Sequence, residues 1–205
     1  MRLFCAVDTD PALHALLAQA IETLRRSDPD AKWTTSPQWH VTLKFLGEVG
    51  TLALPEILDL LSREAAAAAP APLRLNGVGV FGGLKPRIVL AKVEDPAGIL
   101  AQLAGVLDRG LRPLGFHPDN HLFSAHVTLA RTRSDRNARA LLEEIRGAQG
   151  ILRGDWTARE VVLYQSILKP GGAEYSAILR APLGPGKLPD NRNPRRAAVR
   201  GDLRR

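Results

Sequence analysis

The tetrapeptide His-Val-Thr-Leu occurs twice in this chain of 205 residues, as His40–Leu43 and as His126–Leu129. With five His and nine Thr in that length, chance supplies roughly 0.2 His-x-Thr matches, so two copies with the same apolar partners point to an internal duplication. A duplicated strand restricts the fold. Each half contributes one equivalent strand, and the two strands meet at a shared cleft. Side chains alternate along extended backbone, so His40 and Thr42 face one way while Val41 and Leu43 face the core. His126 and Thr128 share a face by the same rule.

The segments around the motifs have a mixed periodicity. Leu13, Leu16, Leu17, Ala20, Ile21 and Leu24 fall on one helical face, with Asp10 as cap and Pro11 at the first helical position. Leu54, Ile57, Leu58 and Leu61 form a second stripe running into Ala65–Ala69. A third follows Asp95-Pro96 with Ile99, Leu100, Leu103, Val106 and Leu107, and a fourth follows Asp135 with Ala138, Leu141, Leu142 and Ile145. Strand-like runs lie between them at 3–7, 40–46, 73–81, 87–93, 126–131, 160–168 and 175–181. The apolar phase slips at Asn76-Gly77, which predicts a β-bulge. Gly82-Gly83 and Gly171-Gly172 read as hairpin turns. The sum is an α+β fold, with antiparallel sheet and helices packed outside.

A hydrophobic fraction of 45% supports a packed interior. The net charge of +7 is concentrated at the C-terminus, where Lys187, Arg192, Arg195, Arg196, Arg200, Arg204 and Arg205 outnumber Asp190 and Asp202. The expected organisation is one folded domain over residues 1–184 and a basic, solvated tail over 185–205, whose charge adds little to the functional argument. The single cysteine, Cys5, excludes an internal disulfide framework and a multi-cysteine zinc site, and its apolar surroundings predict a buried thiol. No apolar run reaches membrane-spanning length, and no signal core follows the N-terminus; the expectation is a cytoplasmic monomer.

Two strands of this kind present two imidazoles and two hydroxyls around a small volume. Imidazole titrates near about 6.5, so one ring can be neutral and the other charged near neutral pH. In-line attack on a phosphodiester needs that combination, a base for the nucleophile and an acid for the leaving oxygen. Thr42 and Thr128 would donate to phosphate oxygens, and Lys44 and Arg131 would offset their charge. Strict alternation puts Arg131 on the face opposite His126; a bulge or strand end at Ala130 would reconcile the two. No Asp, Glu or Cys recurs at ligand spacing in both copies, so neither a metal nor another cofactor is expected. His14 is assigned to packing at a helix boundary, and His117 and His121 to a solvated loop. Trp33, Phe45, Phe81 and Tyr175 are aromatics able to stack a base, although parity with Val41 and Leu43 assigns Phe45 to the core.

On these residues the chain resembles the two-histidine phosphoesterase superfamily, specifically bacterial RNA 2′,3′-cyclic phosphodiesterases, once called 2′-5′ RNA ligases. The matching stretches are 1–8, 40–48, 113–116 and 126–131, with Tyr164 and 171–182. The resemblance covers residues 1 to about 184. It implies a bilobed, pseudo-duplicated fold of two antiparallel sheets lining a central cleft, and hydrolysis of a terminal 2′,3′-cyclic phosphate on RNA to a 2′-phosphate, with His40 as proton donor and His126 as proton acceptor. The chain departs from that family at Ala125, where Pro is usual, and at Ala91, where Trp is frequent and would offer a stacking surface. Small cyclic or 2′-5′-linked nucleotides, RNA ligation by the reverse reaction, and a non-catalytic RNA-end-binding module are the alternative readings.

Overall fold

Leu3 through Val7 form an uninterrupted apolar run, and such a run suits a strand covered on both faces. The structure, a computed structural model describing residues 1–169 and 172–185, puts β1 (Arg2–Asp8) inside the sheet, with both neighbours antiparallel. Those neighbours are β3 (His40–Glu48) and β8 (Glu160–Lys169). The remaining strands are β2 (Ala31–Trp33), β4 (Ala71–Phe81), β5 (Ile88–Glu94), β6 (His126–Thr132), β7 (Arg153–Ala158) and β9 (Gly172–Pro182). They run in the order β7-β4-β5-β6-β3-β1-β8-β9, with β2 added beside β6.

One continuous curled antiparallel sheet therefore replaces the two sheets that the resemblance implies. The cause is at the seam. Val41 and Val127, the second residues of the two motifs, pair directly and are fully buried, so the halves join through the motif strands themselves. Along the main path β7, β4, β5 and β6 lie on one side of that register pair and β3, β1, β8 and β9 on the other, and β2 makes a ninth strand through its own pairing with β6.

All four expected helices form: α1 (His14–Arg25), α2 (Leu54–Ala67), α3 (Ile99–Leu111) and α4 (Ala138–Gly147). Asp10 accepts from the Ala12 N–H at 2.8 Å and opens a 3₁₀ turn, from which α1 continues. Asp95 acts from further away. Its carboxylate accepts from the N–H groups of Ile99 and Ala101 at 3.0 and 3.1 Å, across a turn that ends at Gly98. The apolar stripes face inward: Leu17 and Leu24 of α1, and Leu103 and Leu107 of α3, are fully buried. Burial of each such leucine contributes about 1.5–3 kcal/mol. α2 and α3 approach closely because position 110 is glycine; a Cβ there would stand 2.7 Å from Leu60 Cδ1.

The bulge at Asn76-Gly77 is present, since Leu75 pairs with Val93 and Val78 with Ala91, and Gly77 has φ +79°. Lys85 N–H donates to the Gly82 carbonyl at 3.1 Å in the expected Gly82-Gly83 turn. β8 and β9 pair down to Lys169 and Gly172, while Pro170 and Gly171 lie outside the described residues. The basic tail expected over 185–205 lies outside them from residue 186 onward. No helix among the described residues is long and apolar enough to cross a membrane.

Candidate active site

The motif strands both depart from strict alternation, and at the same place. On β3, Thr42 pairs with Ala6 and Lys44 with Cys5, so Leu43 is an extra residue. On β6, Thr128 pairs with Leu90 and Ala130 with Val89, so Leu129 is the extra one. A bulge turns the residues after it to the other face. His40, Thr42, His126 and Thr128 stay on the cleft side, whereas Lys44 and Ala130 turn into the interior. Phe45 and Arg131 then become equivalent cleft residues.

Antiparallel pairing of Val41 with Val127 makes His40 and His126 diagonal neighbours, each flanking the other strand's threonine. Such diagonal neighbours stand about 7–8 Å apart, with their Cβ atoms somewhat closer, a separation on the scale of one phosphate group. Both line a cleft of about 630 Å³ together with Thr42, Thr128 and Arg131. A separate groove of about 470 Å³ at β4 and β7 contains no histidine.

Each ring is held by its surroundings. His40 packs against Phe4, with ring centroids 4.9 Å apart, and meets Tyr175 edge-on at 5.4 Å. His126 meets Phe81 edge-on at 4.9 Å. Its Nδ1 lies 2.7 Å from the Ser124 carbonyl, and a carbonyl only accepts, so Nδ1 carries the proton and Nε2 of the neutral ring carries the lone pair. The Thr34 hydroxyl donates to the carbonyls of Thr128 and Leu129 at 2.8 and 3.0 Å, which ties β6 to the segment before β3.

Residues 10–168 match the 2′-5′ RNA ligase superfamily. This chain belongs to that superfamily. An RNA 2′,3′-cyclic phosphodiesterase of Methanothermobacter thermautotrophicus is 31% identical over 177 residues, covering 86% of this chain and 95% of that protein. One from Archaeoglobus fulgidus is 33% identical over 179 residues, covering 87% and 98%. A solved structure from Thermus thermophilus, 30% identical, has a TM-score of 0.74 and covers 90% of this chain and 100% of that one.

In this member of the 2′-5′ RNA ligase superfamily, five of the six expected site residues meet in one cleft: His40, His126, Thr42, Thr128 and Arg131. Lys44 is the exception and is corrected. The bulge at Leu43 sends it inward, where it is 2% exposed and its ammonium is 2.7 Å from Asp108, 2.9 Å from Asp119 and 3.0 Å from the His117 carbonyl. All three of its N–H donors are used. Arg131 reaches the cleft through the bulge that its parity required, placed at Leu129. Phe45 moves from the expected core to the cleft and is 59% exposed. Aligning the two motif copies would have revealed it, since Phe45 stands where Arg131 does. Ala91 pairs with Val127 and is fully buried, so that position faces the core and offers no stacking surface. β6 still starts at His126 without the usual proline, and the Ala125 carbonyl accepts from Val93 N–H at 3.2 Å. Trp33 lies outside the cleft under the Arg25 guanidinium, 5.6 Å from the ring centroid. His14 packs on Trp39 and bonds Ser36 and Thr9.

Burial is the largest influence on both cleft imidazoles and lowers their pKa. His40 is pushed down to about 4, with the Asp8 carboxylate opposing the shift and His126 adding to it. His126 is also lowered; its bond to Ser124 opposes burial and the Arg131 charge reinforces it. In the free protein both rings are therefore mainly neutral near pH 7, rather than one neutral and one charged. Their neighbours differ in sign. Asp8, paired with His40 across β1 and β3, favours a proton there, and Arg131 disfavours one on His126. Asp8 itself accepts from the Tyr164 hydroxyl at 2.7 Å and from Arg180 at 3.2 Å.

Proposed function

We propose that this chain is an RNA 2′,3′-cyclic phosphodiesterase that opens a terminal cyclic phosphate to a 2′-phosphate without a metal, using His40 as acid and His126 as base. The names and identities of its relatives support the substrate class. The observation that carries the mechanism is the pair of duplicated histidines sharing one cleft, with Asp8 beside the first and Arg131 beside the second. His126 Nε2 takes a proton from water as the water oxygen bonds to phosphorus. The P–O3′ bond breaks and His40 gives its proton to O3′. Thr42 and Thr128 hydroxyls donate to the non-bridging oxygens, and the Arg131 guanidinium offsets their charge. A bound phosphate anion raises the pKa of both imidazoles and lets His40 hold its proton for the leaving group. The working unit is residues 1–184, and the partner is an RNA end.

A chelator-treated preparation should convert an oligonucleotide ending in 2′,3′-cyclic phosphate to the 2′-phosphate. His40→Ala and His126→Ala should each lose about 10²–10⁴-fold in rate, the usual contribution of a positioned acid or base. Full turnover by either variant would remove the acid–base assignment. Binding of the RNA end by a wild type that never turns it over would favour the non-catalytic reading.

A further inference from the structure

Two cleft guanidiniums have no partner among the described residues. Arg74, Arg112 and Arg180 are each paired with carboxylates, but Arg2 and Arg131 make no ion pair or side-chain hydrogen bond there. Arg131 is accounted for by the reacting phosphate. Arg2 is not.

Arg2 follows the parity of Phe4 on β1, two residues further from the seam, and so faces the same cleft. The pairing of Leu3 with Gln165 brings Arg2 beside Ser166 on β8, and Ser166 pairs with Tyr175 on β9. Arg2, Ser166 and Tyr175 thus form one row across three strands. That row is displaced from the Phe4–Tyr164 row by two residues, about 6–7 Å of extended strand. All three side chains line the cleft that contains the histidines. The Tyr175 ring is locked against Phe4, at 5.0 Å, and against His40. Its hydroxyl has no hydrogen-bond partner among the described residues, and the positive charges of both Arg131 and Arg2 act on it. Phe45, cross-strand from Phe4, exposes its ring on the same side.

We propose that Arg2, the Tyr175 hydroxyl and Ser166 form a second phosphate subsite, which holds the phosphodiester on the 5′ side of the terminal nucleotide. The exposed ring of Phe45 lies between the two phosphate positions and stacks the intervening base. The inference rests on the cyclic phosphodiesterase reading and sharpens its substrate class: an RNA chain is preferred to a cyclic mononucleotide. Two charges on one cleft wall match two adjacent backbone phosphates, and a single cyclic nucleotide satisfies only one of them.

Three substrates test this: a 2′,3′-cyclic mononucleotide, the same compound with a 5′-phosphate, and a dinucleotide ending in the cyclic phosphate. Wild-type kcat/KM should favour the dinucleotide over the plain mononucleotide by about tenfold or more, and log KM should depend on log salt more steeply by about 0.7, the increment for one single-strand phosphate. Arg2→Ala should cut the preference severalfold and remove the extra slope, and Tyr175→Phe should cut the preference while keeping the slope. Arg26→Ala, which removes an exposed charge outside the cleft, should change neither. An unchanged preference and slope in Arg2→Ala overturn the subsite. A 5′-phosphorylated mononucleotide as good as the dinucleotide keeps the phosphate site but overturns its assignment to an internucleotide linkage. If wild type turns over none of the three, the cyclic phosphodiesterase reading falls, and the subsite falls with it.

Discussion

Removing the Lys44 ammonium by Lys44→Met leaves Asp108 and Asp119 facing the space it occupied. Breaking a fully buried ion pair costs about 3–5 kcal/mol, mostly for the charge left behind. Here the penalty is smaller. Asp119 is half exposed, and Asp108 keeps Arg112 at 2.6 Å and the Asp119 N–H at 3.0 Å. The expected loss is about 2–3 kcal/mol, or about 4–12 °C in melting temperature for a domain of this size. Asp108, held down to about 2 mainly by Lys44 and Arg112 against the effect of burial, should titrate at higher pH once the ammonium is gone. The cleft should be unaffected, because Lys44 turns away from it. Well below the transition, kcat/KM on a cyclic-phosphate oligonucleotide should stay within about threefold of wild type. Thermal unfolding followed by circular dichroism, with steady-state kinetics at low temperature, reads both quantities. An unchanged melting temperature together with a tenfold rise in KM would return Lys44 to the substrate and refute the bulge argument.

Three further outcomes are expected. Arg131→Ala should lose about 1.5–3 kcal/mol of transition-state binding, or about 10- to 150-fold in kcat/KM, with Arg131→Lys recovering only part. The kcat/KM profile of the wild type should peak on the acid side of about 6.5, because it reports the free protein and both imidazoles are lowered there. Stability should fall with pH over the same range. The His40 pKa of about 4 in the folded chain lies below the ordinary value near 6.5 in the unfolded chain. The unfolded chain therefore takes up the proton first, and stability complete above about 6.5 is lost as pH falls toward about 4. Urea midpoints at pH 7 and pH 5 should differ less in His40→Gln than in wild type.

Much of this arrangement is legible in the residues. The helices show their apolar stripes, and the longer strands show alternation. The Asn76-Gly77 bulge announces itself because its apolar phase slips around a glycine. β2 escapes notice because three residues are too few to alternate. β7 is an edge strand whose Arg153, Asp155 and Thr157 face solvent, which leaves only Trp156 and Ala158 as an apolar signal. The bulges at Leu43 and Leu129 carry no glycine and keep an apolar residue at the extra position. Parity counted past them therefore sends Lys44 to the cleft and Phe45 to the core, the reverse of what the structure has. Nor does the duplication specify one sheet or two. That depends on whether two valines in separate motifs pair, a contact between distant parts of the chain that no local pattern encodes.

Kinetics of His40→Ala, His126→Ala and the double variant on one cyclic-phosphate oligonucleotide, in chelator, bear most directly on whether both rings serve a single phosphate. Groups acting as a unit are strongly non-additive, so the double variant should be about as slow as the slower single one. Losses that multiply, each ring contributing independently of the other, would contradict a shared proton-transfer step.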